Sequence, residues 1–137
     1  MDVSAIPFNR FLGLRAGGTA LTLPADPNYL NHLGTVHASA QFALADAASG
    51  QWLLERFGEA AAEYAAVVRH ADVKFRRMAT GELTARADAP PEEAERFIET
   101  VTRRGRAAIE VRVEVLGADG SATLESSFEW FAQRVRA

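Results

Sequence analysis

The feature that most constrains this chain is a long alanine-rich stretch that carries a single charge. Between Asp26 and Glu55 only Asp46 has a formally charged side chain, taking histidine as neutral. The run from about Ser39 to Phe57 is rich in alanine, the best helix former, and Gly58 supplies a stop signal. Because a helix that is apolar on nearly all sides is a buried helix, we predict a central helix with the rest of the chain packed around it.

Asp46 is therefore the first candidate for chemistry. A lone carboxylate in an apolar helix is costly unless it is paired, hydrogen-bonded or protonated. Carboxylates with such perturbed environments are frequent at functional sites. A partly hydrated Asp at a helix edge, or one that caps another element, would give the same pattern, so both interpretations stand at this point.

The composition is that of an ordinary soluble domain. The 137 residues fit one domain, 1–137, with a sizeable core. The net charge of −3 does not indicate a nucleic-acid binder, and without cysteine there is no disulfide or thiolate chemistry. No Cys/His cluster has the spacing of metal ligands. No secretory signal or membrane-length apolar run is present, so we expect a cytoplasmic protein that does not bind membranes.

Alternating apolar residues predict about five strands. They fall at Thr19–Leu23, Ala65–Arg76, Glu82–Ala89, around Ile109–Val115 and at Thr123–Gln133. In the second strand the alternation places one set of residues on one face, Val67, Arg69, Ala71, Val73 and Phe75, and the other set, Val68, His70, Asp72 and Lys74, on the opposite face. The Asp-Gly turn before the last strand predicts a hairpin. This order predicts an antiparallel α+β fold around one central helix.

Two further helical segments are predicted outside the central helix. Pro91–Arg104, between the third and fourth strands, has acids in its first turn and Gly105 as its stop. Its stripe of Phe97, Ile98 and Val101 is typical of packing. A short turn at Ile6–Leu12 is expected to place Phe8, Phe11 and Leu12 on the core, and Trp52 and Trp130 are also expected in the core.

A motif ahead of the central helix resembles one in a known family. Asn31-His32-Leu33-Gly34-Thr35-Val36-His37, followed by Asp46 nine residues after His37, is similar to the motif of PaaI-like acyl-CoA thioesterases. These proteins have the hotdog fold, a curved antiparallel sheet wrapped around a long helix. The family's Gly-Gly after the histidine is Ala38-Ser39 here, and the strand after the helix lacks the hydroxyl that often holds water in that family.

The resemblance implies a role for each residue of the motif. Asp46 would be the base or nucleophile, and the N–H of Ala38, at the positive end of the helix dipole, would polarise the thioester carbonyl. Ser39 offers a second N–H for the substrate. Asn31 would orient water or substrate. His37 matches the motif histidine, and its place at the helix start favours a bracing role over that of a base.

The implied substrate is an acyl-coenzyme A thioester, whose coenzyme A is part of the substrate, with no separate cofactor or metal. The nucleotide phosphates need cations, and the candidates are Arg76, Arg77, Arg103 and Arg104. Basic turns and helix ends are also ordinary solvated faces, so each arginine has that alternative.

Two other functions fit the same fold. A hotdog dehydratase or hydratase pairs a loop histidine with a helix acid, and His32 lies fourteen residues before Asp46. A non-catalytic acyl-CoA binding protein is the other alternative. The resemblance also implies a homodimer, or a dimer of dimers, whose sites lie between subunits.

Overall fold

In the computed structural model, which describes residues 2–17 and 20–135, six strands form one antiparallel sheet around a long helix. The elements in chain order are α1 (Pro7–Phe11), β1 (Arg15–Gly17), β2 (Ala20–Leu23), α2 (Ala38–Phe57), β3 (Tyr64–Phe75), β4 (Leu83–Asp88), α3 (Pro91–Arg104), β5 (Arg106–Leu116) and β6 (Ala122–Arg134). The strand order across the sheet is β1-β2-β4-β5-β6-β3. The curved sheet around a central helix confirms the predicted α+β hotdog architecture.

The central helix α2 is buried because its small side chains let the sheet approach closely. Leu44 and Ala45 are completely buried. The helix begins at Ala38, one residue earlier than predicted, because the His37 ring caps it. It ends at Phe57 and is followed by Gly58, whose φ of +56° is a conformation that residues with a Cβ rarely adopt.

The number of strands differs from the prediction. The strand β1 was not predicted, because a segment of three residues next to glycine is too short to show an alternating pattern. β2 lies within the predicted Thr19–Leu23 strand, of which Thr19 is outside the described residues.

The predicted faces of β3 are wrong in part because the strand contains a bulge. Its pairing register with β6 shifts at Arg69, so that the residues before and after this point exchange faces. Val68, Ala71 and Val73 therefore pack against the core, whereas Val67 is 56% exposed. A one-residue insertion of this kind leaves no signal in an apolar alternation.

The second half of the chain agrees with the sequence pattern. α3 has the predicted bounds, and its Phe97 and Val101 are buried. β5 buries Val111, Val113 and Val115. No helix in residues 2–17 and 20–135 has both the length and the apolar character needed to cross a membrane.

The N-terminal segment packs only one of its three predicted core residues, Leu12, into the core. Leu12 is buried, but Phe8 and Phe11 are 60% and 81% exposed. In the five-residue helix α1 the buried residue is Asn9. Its side-chain amide donates a hydrogen bond of 3.0 Å to the Val3 carbonyl oxygen. The two phenylalanine rings consequently lie on its outer side.

Candidate active site

Asp46 lies in the middle of α2 and is partly buried. Burial raises the pKa of its carboxyl group above the ordinary range. Within the part of the chain that the structure describes, the carboxylate accepts no hydrogen bond and forms no ion pair. A carboxylate in this state is available to take a proton or to attack a carbonyl carbon.

The carboxylate borders a cavity of about 440 Å³ that extends toward the end of α2. Most of its wall is apolar or glycine, and it combines one face of α2, the turn at residues 58–63, the start of β3, the N-terminal segment and one residue of β6. The lining residues are Val3, Ile6, Asn9, Asp46, Ala47, Gly50, Leu53, Leu54, Phe57, Gly58, Glu59, Ala61, Ala62, Tyr64, Ala66 and Trp130. A cavity of this size and polarity is typical of small-ligand sites.

Trp130, which the sequence pattern predicted only for the core, forms part of this wall together with Gly50. Trp130 is partly buried, whereas Trp52 is buried as predicted. A Cβ added to Gly50 would lie 3.3 Å from Cζ2 of Trp130, closer than most real contacts. A glycine inside an alanine-rich helix is the one sequence signal of this close approach.

The start of α2 presents one backbone donor without a partner. The Ser39 N–H donates to Nδ1 of His37 at 2.9 Å, so the His37 ring serves as the helix cap. The Ala38 N–H has no hydrogen-bond partner among the described residues. Of the two donors at the helix start, Ala38 is therefore the one available to a ligand.

The Asn31 side chain organises the loop before the helix. Its Oδ1 accepts hydrogen bonds from the N–H groups of Leu33 and Thr35 at 2.9 and 3.1 Å. Its Nδ2 donates to the Thr35 hydroxyl at 2.9 Å. These bonds brace the loop, and His32 lies exposed within it.

Within one chain the predicted catalytic residues are separated along the helix. Ala38 and Asp46 are eight positions apart on α2, which is about 12 Å along the helix axis. None of Asn31, His32, His37 or Ala38 lines the cavity beside Asp46. One chain thus places the carboxylate and the helix start at different points of its surface.

The four arginines predicted for phosphate binding lie at opposite ends of β6. The Arg76 N–H bonds to the carbonyl oxygen of Thr123, near the start of β6, whereas Arg134 at its other end bonds to the carbonyls of Thr102 and Gly105, beside Arg103 and Arg104. The eleven steps from Thr123 to Arg134 span about 36 Å in a strand. The two arginine pairs therefore cannot hold the same nucleotide within one chain.

The pair of arginines near the start of β6 lies on the same side of the molecule as the helix start. The Val36 N–H donates to the Ala79 carbonyl at 2.8 Å, which ties the loop before α2 to the turn after Arg76 and Arg77. Arg76 forms a two-bond ion pair with Glu125, the shorter bond 2.7 Å long. Near the other end of β6, the Arg103 Nη1 lies 3.7 Å from the Glu99 Oε1 on α3.

Comparison with protein families identifies the chain's relatives. Residues 8–132 match a family described as a domain of unknown function, DUF4442. The chain belongs to the DUF4442 family. No curated protein matches this DUF4442 chain.

Solved structures that share the fold of this DUF4442 chain include proteins described as thioesterases. A Pseudomonas aeruginosa protein of unknown function, described as a probable thioesterase, is 25% identical with a TM-score of 0.82 over 96% of this chain and 91% of that one. A Bacillus halodurans protein solved with CoA is 18% identical, with a TM-score of 0.72 over 93% and 76% of the two chains.

The predicted family resemblance is confirmed at the level of structure. A variant of the phenylacetic acid degradation protein PaaI from Thermus thermophilus is 21% identical, with a TM-score of 0.68 over 91% of this chain and 97% of that one. At this identity the likeness shows the shared fold. The DUF4442 chain is thus a hotdog protein that resembles the PaaI-like branch.

Proposed function

We propose that this protein hydrolyses acyl-coenzyme A thioesters, with Asp46 as general base or nucleophile. The observation that carries the proposal is the free, partly buried Asp46 carboxylate at one end of an apolar cavity. An apolar cavity suits the acyl part of the substrate, and a carboxylate whose pKa is raised by its surroundings suits proton transfer. The neighbouring Pseudomonas aeruginosa protein described as a probable thioesterase supports the same class of reaction.

In the proposed reaction, Asp46 either takes a proton from an attacking water or attacks the carbonyl carbon itself. The carbon–sulfur bond breaks, the coenzyme A sulfur leaves with the electron pair and is protonated, and water supplies the oxygen of the acid product. The Ala38 N–H stabilises the negative charge that develops on the carbonyl oxygen. Asn31 and His37 hold the loop and the helix start in place. No metal or separate cofactor takes part in this scheme.

The separation of Ala38 and Asp46 favours a site shared between two chains. A reacting thioester needs an oxyanion donor about 3 Å from its oxygen and a nucleophile about 3 to 3.5 Å from its carbon. Two groups about 12 Å apart on one helix cannot satisfy both requirements. A partner chain that brings its own Ala38 to Asp46 can.

The sheet edge formed by β3 offers a surface for this partner. β3 is twelve residues long and, among the described strands, pairs only with β6, so its other side is an edge of the described sheet. A long unpaired edge is prone to associate with another strand. We propose that two chains join along β3 as a homodimer, or as half of a dimer of dimers, which gives two equivalent sites.

For the coenzyme A phosphates, the structure favours Arg76 and Arg77 over Arg103 and Arg104. The first pair belongs to the turn tied to the loop before α2, where the proposed oxyanion donor lies. Arg76 would exchange its Glu125 partner for phosphate, since the two N–H groups that now share one Glu125 oxygen can equally bond to phosphate oxygens. The Bacillus halodurans neighbour solved with CoA supports a coenzyme A ligand.

The test is hydrolysis of a series of acyl-coenzyme A thioesters, followed by a thiol reagent that detects free coenzyme A. We expect turnover by the wild type, undiminished by a metal chelator. Asp46→Asn should lower it by about 100-fold or more, the usual loss when a general base is removed. An Asp46→Asn variant with the wild-type rate would exclude Asp46 from the reaction.

The two alternatives give different results in the same experiment. Hydration of an enoyl thioester, followed by absorbance, would indicate a hydratase that uses His32 and Asp46. Binding of acyl-coenzyme A without either reaction would indicate a non-catalytic binding protein.

A further inference from the structure

We infer that the acyl group hydrolysed by this protein is an uncharged alkyl chain of medium length that lies along α2 from Asp46 to Phe57. This inference rests on the proposed thioesterase activity and names its substrate class. It is carried by the length of the cavity, by the chemistry of its walls and by the charges at its two ends.

The length of the cavity is set by the helix that forms its floor. The lining residues of α2 are Asp46, Ala47, Gly50, Leu53, Leu54 and Phe57, which recur along one face for three turns. The eleven positions from Asp46 to Phe57 correspond to about 16 Å. An extended residue spans about 3.3 to 3.6 Å over its three backbone bonds, which is about 1.2 Å per bond. An extended alkyl chain advances by about the same length per bond. A thioester carbonyl at Asp46 therefore leaves space for a chain of about 12 carbons.

Apart from Asp46 and the Glu59 carboxylate at the far end, the walls offer few free polar groups to a ligand. The Asn9 amide is bonded to the Val3 carbonyl, and the Trp130 N–H is bonded to Ser49. The Tyr64 hydroxyl accepts a hydrogen bond from Arg134 at 3.2 Å. Most of the remaining wall consists of alanine, leucine, valine and isoleucine side chains, with Phe57 at the far end. An alkyl chain matches this wall, since a polar substituent would lose its water without gaining a strong partner.

The charges of the cavity exclude a second carboxylate on the acyl group. Asp46 lies at one end and Glu59 lies just beyond Phe57 at the other, and none of the described lining residues is a cation. A dicarboxylic acyl group would bring its distal carboxylate toward the like charge of Glu59. The guanidinium of Arg134, which is bonded to the Tyr64 hydroxyl, is not part of the lining and is already engaged by the Thr102 carbonyl oxygen. The same absence of a cation favours release of the carboxylate product from beside Asp46.

The first experiment measures kcat/KM for straight-chain acyl-coenzyme A thioesters from butanoyl to hexadecanoyl. We expect an increase of about fourfold for each added methylene, the value for burying one CH₂, until the chain fills the cavity near dodecanoyl. The ω-carboxy derivative of dodecanoyl-coenzyme A should be at least tenfold poorer than dodecanoyl-coenzyme A. A profile that is flat or highest at butanoyl, or equal rates for the two dodecanoyl substrates, would overturn the inference while leaving thioesterase activity established.

The second experiment blocks the far end of the cavity. Ala62 lines it, whereas Ala60 belongs to the same turn and does not. Ala62→Trp should lower the ratio of kcat/KM for dodecanoyl- to butanoyl-coenzyme A at least tenfold, and the matched control Ala60→Trp should keep the wild-type ratio. Equal ratios in the two variants would show that the chain lies elsewhere.

A binding measurement separates failure of the inference from failure of the proposed function. If no thioester is hydrolysed, calorimetry with dodecanoyl- and butanoyl-coenzyme A still tests the cavity. Tighter binding of the dodecanoyl compound, weakened by Ala62→Trp but not by Ala60→Trp, would support the alkyl-chain site in a protein that is not a thioesterase. Equal affinities would overturn the inference as well.

Discussion

The indole Nε1 of Trp130 on β6 donates a hydrogen bond of 2.8 Å to the hydroxyl of Ser49 on α2. That hydroxyl donates in turn to the carbonyl oxygen of Asp46 at 2.7 Å. Ser49 is completely buried, so both bonds are partly shielded from solvent. They fix the middle of the central helix against the sheet, at the turn that presents the Asp46 carboxylate to the cavity.

A double-mutant cycle should measure this connection. Ser49→Ala leaves the Trp130 N–H without its partner, and we expect a loss of about 1 to 3 kcal/mol of stability. Trp130→Phe removes the donor but keeps an aromatic ring, at a cost of about 1 kcal/mol or more from the lost bond and smaller ring. The double variant should be more stable than the sum of the two losses predicts, as measured by urea unfolding. Strict additivity would show that the two side chains are not energetically coupled.

The buried carboxylate of Asp46 should lower the stability of the protein at neutral pH. Burial raises its folded-state pKa above the ordinary value of about 3.9. At pH values between the unfolded-state and folded-state pKa of Asp46, the folded state binds more protons than the unfolded state. The contribution of protonated Asp46 to folding stability is therefore complete below the unfolded-state pKa. It is lost as the pH rises through the folded pKa.

Asp46→Asn removes this titration and should raise the melting temperature at pH 7 by about 2 to 4 °C. The gain should shrink as the pH falls into the acidic range, where wild-type Asp46 becomes neutral. The gain is measured as the difference in melting temperature between the two proteins from about pH 3.5 to about pH 8, a range that includes the ordinary carboxyl pKa. A gain that does not depend on pH would mean that the effect comes from something other than the charge.

His37 should stabilise the helix start through its role as a cap. His37→Ala removes the acceptor of the Ser39 N–H and should cost about 1 kcal/mol of stability. His37→Asn should recover most of that loss because asparagine is a strong helix cap. If urea unfolding finds the Asn variant as unstable as the Ala variant, the ring must stabilise the loop in another way.

The sequence predicted the parts of the fold that depend on regular patterns. The apolar alternation of Val111 to Val115 and the capping signals of Pro91–Arg104 gave the correct elements because each pattern is local. The bulge at Arg69 and the exposure of Phe11 could not be predicted, since they depend on which neighbours the segment meets.

The same limit applies to the candidate site. Asp46 stood out as a lone charge, and the PaaI-like motif indicated the loop and the helix start. The bond from Trp130 to Ser49 joins residues 81 positions apart, which no sequence spacing reveals. The cavity likewise depends on side chains from the N-terminal segment, from the stretch between α2 and the start of β3, and from β6.

Ala38→Pro tests the proposed oxyanion donor. Proline removes the one N–H at the helix start that has no partner in the described chain, and the first helical position usually tolerates it. We expect kcat to fall by about 100-fold, corresponding to about 3 kcal/mol for one lost donor, with KM little changed. Circular dichroism and thermal unfolding serve as controls for the fold. Full activity in a folded variant would show that another group stabilises the oxyanion.

A complementation experiment tests whether each site combines Asp46 of one chain with Ala38 of the other. Asp46→Asn and Ala38→Pro chains, each inactive alone, are mixed in equal amounts under conditions that allow subunits to exchange. Random pairing makes half of the dimers mixed, and each mixed dimer has one site with both defects and one with neither. We therefore expect activity to return to about a quarter of the wild-type value.

The outcome of this mixing distinguishes a shared site from two separate ones. If each site were built from a single chain, every site in a mixed dimer would carry one defect, and activity would stay at the level of the unmixed variants. Exchange is verified independently by mass spectrometry of differently tagged chains. Sedimentation as a monomer at assay concentration would contradict the shared site directly, because about 12 Å of helix then separates Ala38 from Asp46 with no second chain to supply the missing group.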